Sequence, residues 1–184
     1  MIEFIEDGHI YLYEGVTVPS VSEIVRFELD EYKDVPQWIL DRAAEYGTKV
    51  HEMVESIESG LSLEEFNEMP IDFFAKYSVN EYVSLKNYEV ESMEQMIGNK
   101  HCCGRYDILT KDGILVDIKT NSKYPQRHLE IQLGLYYWLM GMENDKAYCM
   151  WLPKRDKARL VEVKPISNKE CEDIIQRYEK HYTN

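Results

Sequence analysis

The sequence predicts one α/β (α+β) domain, in which a mixed central β-sheet is flanked by helices and a small β-hairpin forms at the amino terminus. Two observations predict this fold class. Apolar residues recur at helical spacing through most of residues 20–88, whereas short β-type runs begin near Met93 and alternate with two further helical segments. The 184 residues also match the size of a single domain, so we expect one unit spanning residues 1–184.

The individual elements follow from turn residues, capping residues and apolar periodicity. The alternating segment 2–13 is interrupted by an Asp-Gly pair, which predicts the hairpin, and Ser20 and Glu23 have the spacing of a helix capping box. Helical spacing predicts a short helix opening at residues 19–20 and further helices over 36–47, 50–57, 63–69, 71–88, 126–140 and 168–178. Strands are predicted over 93–97, 104–109, 114–119, 148–152 and 160–163. Because helical spacing resumes soon after Gly47, that glycine marks either a break or only a kink.

Composition argues against several classes of protein. The chain contains no run of about 18 apolar residues, and its acidic start lacks the apolar core of a signal peptide, so we expect neither a membrane span nor export. The expected location is the cytoplasm, which means the host cytoplasm if a phage encodes the protein. The 4 cysteines include no C-x-x-C pair, so we expect reduced thiols, two or three of them in or near the core.

The charge of the chain is strongly negative but unevenly distributed. The formal net charge of -13 argues against a protein that holds DNA without help from cations. Acidic residues crowd the stretch 52–94, whereas basic residues gather at 119–127 and 154–159. A local phosphate-binding groove is therefore compatible with the sequence, and bound metal ions would make such a groove more positive.

The most informative segment is the predicted hairpin that joins strands 104–109 and 114–119. A turn centred on Asp112 places Asp107 directly opposite Asp117, and Lys119 stands beside Asp117 on the same face. Two facing carboxylates destabilise a sheet unless a cation lies between them. Because carboxylate oxygens together with water suit Mg²⁺ or Mn²⁺, the pattern indicates a divalent metal site at this hairpin.

An exposed hairpin with solvated charges explains D-x-K equally well, and a one-residue slip in register would move Asp107 to the other face. Further residues are therefore needed to separate the two interpretations. His51 lies on a predicted helix, and a neutral imidazole can complete a carboxylate metal site. Glu94 lies in the strand before the hairpin, and Gln132 and Tyr136 share one face of the following helix. Each of these residues also has an ordinary structural explanation.

The order of these motifs resembles the RecB-like branch of the PD-(D/E)XK nucleases, which includes enzymes similar to λ exonuclease. The pattern is a helical G-x-x-x-H, an acid on a strand, G-x-x-D, D-x-K and Q-x-x-x-Y, which here are Gly47 to His51, Glu94, Gly104 to Asp107, Asp117 to Lys119 and Gln132 to Tyr136. The amino-terminal G-H-I-Y and P-S-V-S-E-I segments look like the start of small phage and prophage members. The resemblance covers residues 9–137 and implies a restriction-endonuclease-like core.

The resemblance implies a role for each matched residue. The implied catalytic residues are Asp107, Asp117, Lys119 and Glu94, with Glu91 as the less favoured acid. The implied ligands of Mg²⁺ or Mn²⁺ are His51, Asp107, Asp117 and Ile118, and the residues expected at the DNA are Gln132, Tyr136, Lys123 and Arg127. In such a site the cation polarises a phosphodiester oxygen and activates water, while the lysine orients that water or stabilises the developing charge. Iron–sulfur members carry a cysteine ahead of the histidine motif, but the first cysteine of this chain is Cys102, so no cluster is expected.

The expected function is that of a metal-dependent DNA nuclease, favoured as an exonuclease that acts on linear double-stranded or single-stranded ends in phage-type recombination, replication or repair. A structure-specific or nicking endonuclease on the same scaffold is one alternative, and it would cut circular DNA. A non-catalytic nuclease-fold module that binds DNA ends or a protein is another. A homo-oligomer or a recombination partner protein is compatible with each of these, whereas no G-x-x-x-x-G-K-[ST] motif indicates an ATP motor.

Overall fold

The computed structural model describes residues 1–30 and 33–183, and each predicted segment overlaps an element of the predicted type. The helices are α1 (Val21–Leu29), α2 (Gln37–Glu58), α3 (Leu63–Glu68), α4 (Phe73–Leu85), α5 (Gln126–Leu139) and α6 (Asn168–Thr183). The strands are β1 (Ile2–Ile5), β2 (Ile10–Tyr13), β3 (Val16–Val18), β4 (Val90–Gly98), β5 (Cys103–Thr110), β6 (Leu115–Lys119), β7 (Ala147–Trp151) and β8 (Arg159–Val163).

The larger sheet has five strands in the order β4-β5-β6-β7-β8. Neighbouring strands are antiparallel except for β6 and β7, which are parallel. Parallel neighbours need a long crossover connection, and α5 provides it between these two strands. The predicted fold class, an α+β domain with a mixed central sheet flanked by helices, is therefore confirmed.

The predicted register of the β5–β6 hairpin is also confirmed. The paired residues are Ile108 with Val116 and Leu109 with Leu115. Continued by one residue, this register sets Asp107 opposite Asp117 at the end of the ladder, as the turn centred on Asp112 predicts.

A second, three-stranded antiparallel sheet forms from β1, β2 and β3. It contains the predicted hairpin of β1 and β2 and one further strand, β3. Glu14 and Gly15, which connect β2 to β3, both adopt positive φ angles, of 52° and 79°. Two consecutive left-handed residues form the kind of tight turn that joins antiparallel strands. The sequence missed this turn because glutamate is an uncommon residue at positive φ.

Local sequence explains the start of α1, and tertiary packing explains the continuity of α2. Ser20 caps α1 with the predicted capping box, in which its hydroxyl accepts from the Glu23 N–H and its own N–H donates to the Glu23 carboxylate. Helix α2 continues through Gly47 without a break. Its buried face includes Tyr46, Val50 and Val54, so tertiary packing offsets the low helix propensity of glycine.

The larger sheet lies between two layers of helices. Helices α1, α5 and α6 pack on one face, where Ile24, Leu133 and Ile174 are buried. Helices α2 and α4 pack on the other face through Val50 and Val79. Strand β6 is consequently covered on both faces, and this explains why Leu115, Val116 and Ile118 within it are apolar.

All four cysteines are free and buried, so burial extends to the whole set rather than to the two or three expected from the sequence. Burial raises the pKa of the Cys102 and Cys149 thiols, and this keeps both in the neutral form. Across residues 1–30 and 33–183, no helix is long and apolar enough to cross a membrane.

Candidate metal centre

Side chains from three separate elements converge next to the β5–β6 hairpin. His51 projects from the middle of α2, Glu94 from β4 and Asp107 from β5. The His51 Nδ1 atom lies 3.3 Å from Glu94 Oε1 and 3.6 Å from Asp107 Oδ1. One ligand atom from each residue lies within 4.8 Å of the other two, which makes this trio a group that could hold a metal ion.

The spacing and the donor types of this trio fit a small divalent cation. Adjacent ligands of an octahedral ion with bonds of about 2.1 Å lie roughly 3 Å apart. The separations from His51 Nδ1 are only a few tenths of an ångström longer. One imidazole nitrogen with two carboxylate oxygens suits Mg²⁺ or Mn²⁺ better than a metal that prefers thiolates.

The peptide unit of Ile118 orients two of the three candidate ligands. His51 Nε2 lies 3.1 Å from the Ile118 carbonyl oxygen, and because a carbonyl only accepts, Nε2 carries a proton in the neutral as well as in the charged ring. The Nδ1 atom therefore faces the carboxylates, an arrangement typical of metal-binding histidines. The Ile118 N–H donates to Asp107 Oδ2 at 2.6 Å. Ile118, predicted as a ligand, thus contacts the site through its backbone and supports both His51 and Asp107.

A local distortion of β4 brings Glu94 into the group. Glu94 has a φ of 49°, in the left-handed region that non-glycine residues rarely adopt inside a strand. Met93 and Gln95 on either side remain in register with β5, so the left-handed conformation is confined to Glu94 and is separate from the register shift between Val90 and Ser92. Such a conformation costs about 1–3 kcal/mol and persists only where its surroundings hold it. Glu94, rather than the exposed Glu91, is the acid that meets His51.

Asp117 and Lys119 form a separate ion pair beside the trio. Their side chains are 3% and 18% exposed, respectively. Lys119 Nζ donates a hydrogen bond to Asp117 Oδ1 at 3.0 Å and lies 2.7 Å from Oδ2, at an angle outside hydrogen-bonding geometry. Asp117 was expected to share a cation with Asp107, but in this arrangement its partner is Lys119. Its buried Oδ2 is in contact with the Lys119 ammonium group, so a cation at this oxygen would share or replace that contact.

Lys119 is held in its charged form. Burial lowers the pKa of this ammonium group, but the carboxylates of Asp117 and Asp107 outweigh burial and raise the pKa to about 12. Burial raises the pKa of Asp117 itself, against the opposing effect of Lys119. Lys119 is consequently a proton-bearing donor at neutral pH rather than a base.

The three carboxylates of the site are balanced by three cationic or potentially cationic groups. Besides Lys119, the Arg105 Nε atom lies 2.9 Å from Glu94 Oε2. Burial lowers the pKa of His51, but Asp107 and Glu94 outweigh this and raise the pKa to about 9. Sequence reasoning missed Arg105, although its position two residues before Asp107 in β5 was a usable signal.

The Q-x-x-x-Y residues lie behind the site on α5. Gln132 and Tyr136 are only 7% and 3% exposed, which leaves little of either side chain for the predicted contact with DNA. Tyr136 instead donates a hydrogen bond to the Arg105 carbonyl at 2.8 Å. A Cβ atom at Gly104 would lie 2.8 Å from Tyr136 Cε1, so the glycine of G-x-x-D allows α5 to approach β5. Tyr136 of the Q-x-x-x-Y motif therefore supports the strand that carries Asp107.

The two basic residues predicted to contact DNA are exposed just beyond β6. Lys123 lies in the segment between β6 and α5, and Arg127 lies in the first turn of α5. Arg127 forms an ion pair with Glu130 at 2.9 Å, so part of its charge is neutralised. Their position near the end of β6 is compatible with phosphate contacts, and the DNA-binding role stays a prediction.

Comparison with known proteins identifies no family for this chain. No family model matches the sequence, and no curated protein is sufficiently similar to it. One similar solved structure is the crystal structure of SSO0001, which has 20% sequence identity and a TM-score of 0.47, with the match covering 89% of this chain and 70% of that chain. This likeness is too distant to support a statement about function.

Proposed function

We propose that this chain is a metal-dependent nuclease of the PD-(D/E)XK type, in the RecB-like branch, and that it hydrolyses phosphodiester bonds at DNA ends. The convergence of His51, Glu94 and Asp107 beside a buried Asp117–Lys119 pair is the observation that carries the proposal. These residues come from α2, β4, β5 and β6. They are also the residues selected by the motif order, and independent solvated charges would have no reason to meet at one point.

Mg²⁺ or Mn²⁺ is the proposed cofactor. His51, Glu94 and Asp107 would hold the cation, and Asp117 Oδ2 is a further candidate ligand. A cation bound there supplies Lewis-acid stabilisation of charge on a phosphate oxygen. The Ile118 backbone keeps His51 and Asp107 in their binding orientations through the hydrogen bonds at Nε2 and Oδ2.

Lys119 supplies the protein's own electrostatic contribution to hydrolysis. Its ammonium group stays protonated because Asp117 lies beside it, so it donates hydrogen bonds to phosphate oxygens or to the attacking water. Donors fixed before the reaction stabilise the charge that develops on phosphate oxygens without having to reorganise. The low exposure of the pair strengthens this interaction, because little water screens it.

Digestion of linear and covalently closed circular double-stranded DNA, with Mg²⁺ or with Mn²⁺, tests the proposal. Wild-type protein is compared with Lys119→Ala and Asp107→Asn, and with Lys146→Ala as a control at the opposite end of β7. We expect the wild type and the control to degrade linear DNA and leave the circle intact. Both site variants should lose activity about 100-fold or more, as when one fixed donor is removed from a developing negative charge.

Each departure from this result has a definite meaning. Cutting of the circle by wild-type protein would replace end-directed cleavage by endonuclease activity on the same site. Undiminished activity of both site variants would refute this centre. Absence of metal-dependent cleavage by folded wild-type protein, on double-stranded and single-stranded DNA alike, would refute DNA nuclease activity.

A further inference from the structure

We infer that the turn between β7 and β8, residues 152–158, binds the backbone of the nucleic-acid strand, and that the strand leaves the metal centre in this direction only. The inference rests on the proposed function, because it specifies how the substrate lies on that centre. It follows from the position of the turn, its charge, and the opposite charge on the other side of the site.

The turn begins directly beside the candidate catalytic lysine. Because β6 and β7 are parallel, their carboxyl ends lie at the same edge of the sheet, and Lys119 is in register with Trp151. The next residue, Leu152, donates its N–H to the Lys119 carbonyl at 2.7 Å. A phosphodiester at the centre therefore has this turn as an immediate neighbour.

The turn is strongly basic in an acidic protein. Residues 152–158 contain the basic residues Lys154, Arg155 and Lys157 against the single acid Asp156, which pairs with Arg159 at the start of β8, whereas the whole chain has a net charge of -13. The side chains of Lys154, Arg155 and Lys157 are exposed. Exposed cations that follow one another along a turn are the groups that contact successive phosphates, and such contacts provide most of the affinity for a nucleic-acid backbone.

The turn lies over the amino-terminal half of α2. Lys154 Nζ is 3.6 Å from the centre of the Tyr46 ring, a cation–π contact that fixes the turn against the helix. Tyr46 precedes His51 by five residues, which corresponds to about 7.5 Å along the helix axis. Lys154 therefore lies against the part of α2 that precedes the metal ligand His51.

The other side of His51 is acidic. A cavity of about 530 Å³ there is lined by the glutamates Glu55, Glu58, Glu89 and Glu91. Its two lysines are already paired, Lys86 with Glu58 and Lys111 with Glu89. Glu55 and Glu58 follow His51 by one and two turns of α2, so the helix arranges basic turn, metal ligands and acidic cavity in that order.

This order of charges defines a direction for the substrate. Glu55 follows His51 by one turn of α2, about 6 Å along the helix axis and within a Debye length of roughly 8–10 Å, so a phosphate on that side meets little-screened repulsion. A strand that ends at the centre avoids the acidic cavity, whereas a continuous strand has to cross it. The charge distribution thus favours a chain terminus at the metal centre, with the remaining backbone on the β7–β8 turn.

Binding of a fluorescent single-stranded DNA oligonucleotide, followed by anisotropy across a range of salt concentrations, tests the role of the turn. The variant Arg155→Gln/Lys157→Gln removes two charges from the turn. The matched control Lys146→Gln/Lys164→Gln removes two charges flanking the other ends of β7 and β8. Measurements are made in EDTA and again in Ca²⁺, so that binding is followed separately from Mg²⁺-dependent cleavage.

We expect the turn variant to bind about tenfold more weakly than wild type, with the slope of log K against log salt reduced by about 1.4, because each single-strand phosphate contact contributes about 0.7. The control should stay within about twofold of wild type. Equal affinity of the turn variant and wild type overturns the inference, as does equal weakening in both variants. Failure of wild-type protein to bind in either buffer overturns it as well.

Photocrosslinking tests the direction. A benzoylphenylalanine is placed either at Arg155 in the turn or at Glu91 beside the acidic cavity, both of which are exposed. We expect the oligonucleotide to crosslink at position 155 and not at position 91, and crosslinking at 91 would overturn the one-directional path. Cleavage without turn-dependent binding would refute this inference alone, whereas turn-dependent binding without metal-dependent cleavage would refute the proposed nuclease activity alone.

Discussion

Asp117 and Lys119 depend on each other because both are largely withdrawn from water. The register that sets two aspartates opposite each other suggests that removing one relieves repulsion. The structure argues otherwise for Asp117, whose nearest charged partner is the Lys119 ammonium at 2.7 Å. Removing one member of a buried pair leaves an uncompensated charge, and this is more harmful than removing both.

A double-mutant cycle measures this dependence. We predict that Asp117→Asn and Lys119→Met each reduce the free energy of unfolding by about 2–3 kcal/mol in EDTA, somewhat below the range for fully buried pairs because Lys119 is partly exposed. The double variant should lose less than the sum, with a coupling energy of about 1 kcal/mol or more. Urea unfolding of the four proteins gives these values, and strict additivity would contradict the ion pair.

His51 makes metal binding at the candidate metal centre dependent on pH. The pKa of its imidazole rises from 6.5 to about 9 in the folded, metal-free protein, since Asp107 and Glu94 outweigh burial. Because the folded-state pKa is the higher one, protonation of His51 stabilises the fold fully below about pH 6.5. That contribution is lost as the pH rises through about 9. A cation bound at Nδ1 has to replace this proton.

Metal affinity should therefore increase with pH. We predict that the affinity for Mn²⁺ rises between pH 6.5 and about 9, by up to tenfold per pH unit, because binding releases the His51 proton. Isothermal titration calorimetry in buffers of different ionisation enthalpy detects the released proton. His51→Gln serves as the control, in which this release should disappear. A wild-type affinity that does not change with pH would count against His51 as a ligand.

At the level of single elements, the distortion of β4 is the feature whose energetic effect is most easily isolated. Glycine and alanine both remove the carboxylate of Glu94, but only glycine tolerates a φ of 49° without strain. We predict that Glu94→Gly is more stable than Glu94→Ala by about 1 kcal/mol, after allowance for the greater flexibility of glycine in the unfolded chain.

The same pair of substitutions at Glu91 is the matched control. Glu91 lies in the same strand and is not among the residues with positive φ, so there alanine should be the more stable replacement. Urea unfolding in EDTA compares all four variants. A common order of stability at both positions would show that the left-handed conformation of Glu94 stores no strain.

The elements could be predicted from the sequence because their signals act over a few residues. Ser20 and Glu23 specify a helix start, and the turn at Asp112 determines the register that faces Asp107 with Asp117. The continuity of α2 through Gly47 depends on tertiary packing, so the local sequence left both a break and a kink open there. Local patterns therefore predicted which strands and helices carry the site, but not how their side chains pair.

The pairing depends on contacts between residues far apart in the chain. His51 and Glu94 are separated by 43 positions, and no local pattern in β4 signals that Glu94 adopts a left-handed conformation to reach the imidazole. The same applies to Ile118, whose carbonyl orients His51 across 67 positions. These features arise only when α2 packs on the sheet, so reasoning from single elements missed them.

At the scale of the whole molecule, the excess of acidic groups has a structural counterpart at the candidate metal centre. Like charges oppose the compact state of a chain with a net charge of -13, and three carboxylates are concentrated at one site. His51, Arg105 and Lys119 balance them in the metal-free protein. A divalent cation supplies more charge at one point than the His51 proton does and should therefore stabilise the fold further.

This cation would join α2 to β4 and β5, and its effect should be visible in thermal unfolding. A ligand that binds only the folded state at 100 times its dissociation constant contributes about 2.7 kcal/mol. For a chain of 184 residues this corresponds to a rise in Tm of about 5–10 °C. We predict such a rise with saturating Mn²⁺ relative to EDTA, measured by differential scanning fluorimetry.

The variant Asp107→Asn should abolish most of this rise in Tm. The control Asp41→Asn changes an exposed acid on the first turns of α2 and should leave the rise unchanged. Equal stabilisation of all three proteins would assign the effect to nonspecific binding by the acidic surface, because the trio of His51, Glu94 and Asp107 is the group in residues 1–30 and 33–183 that could hold a metal ion between this helix and the sheet.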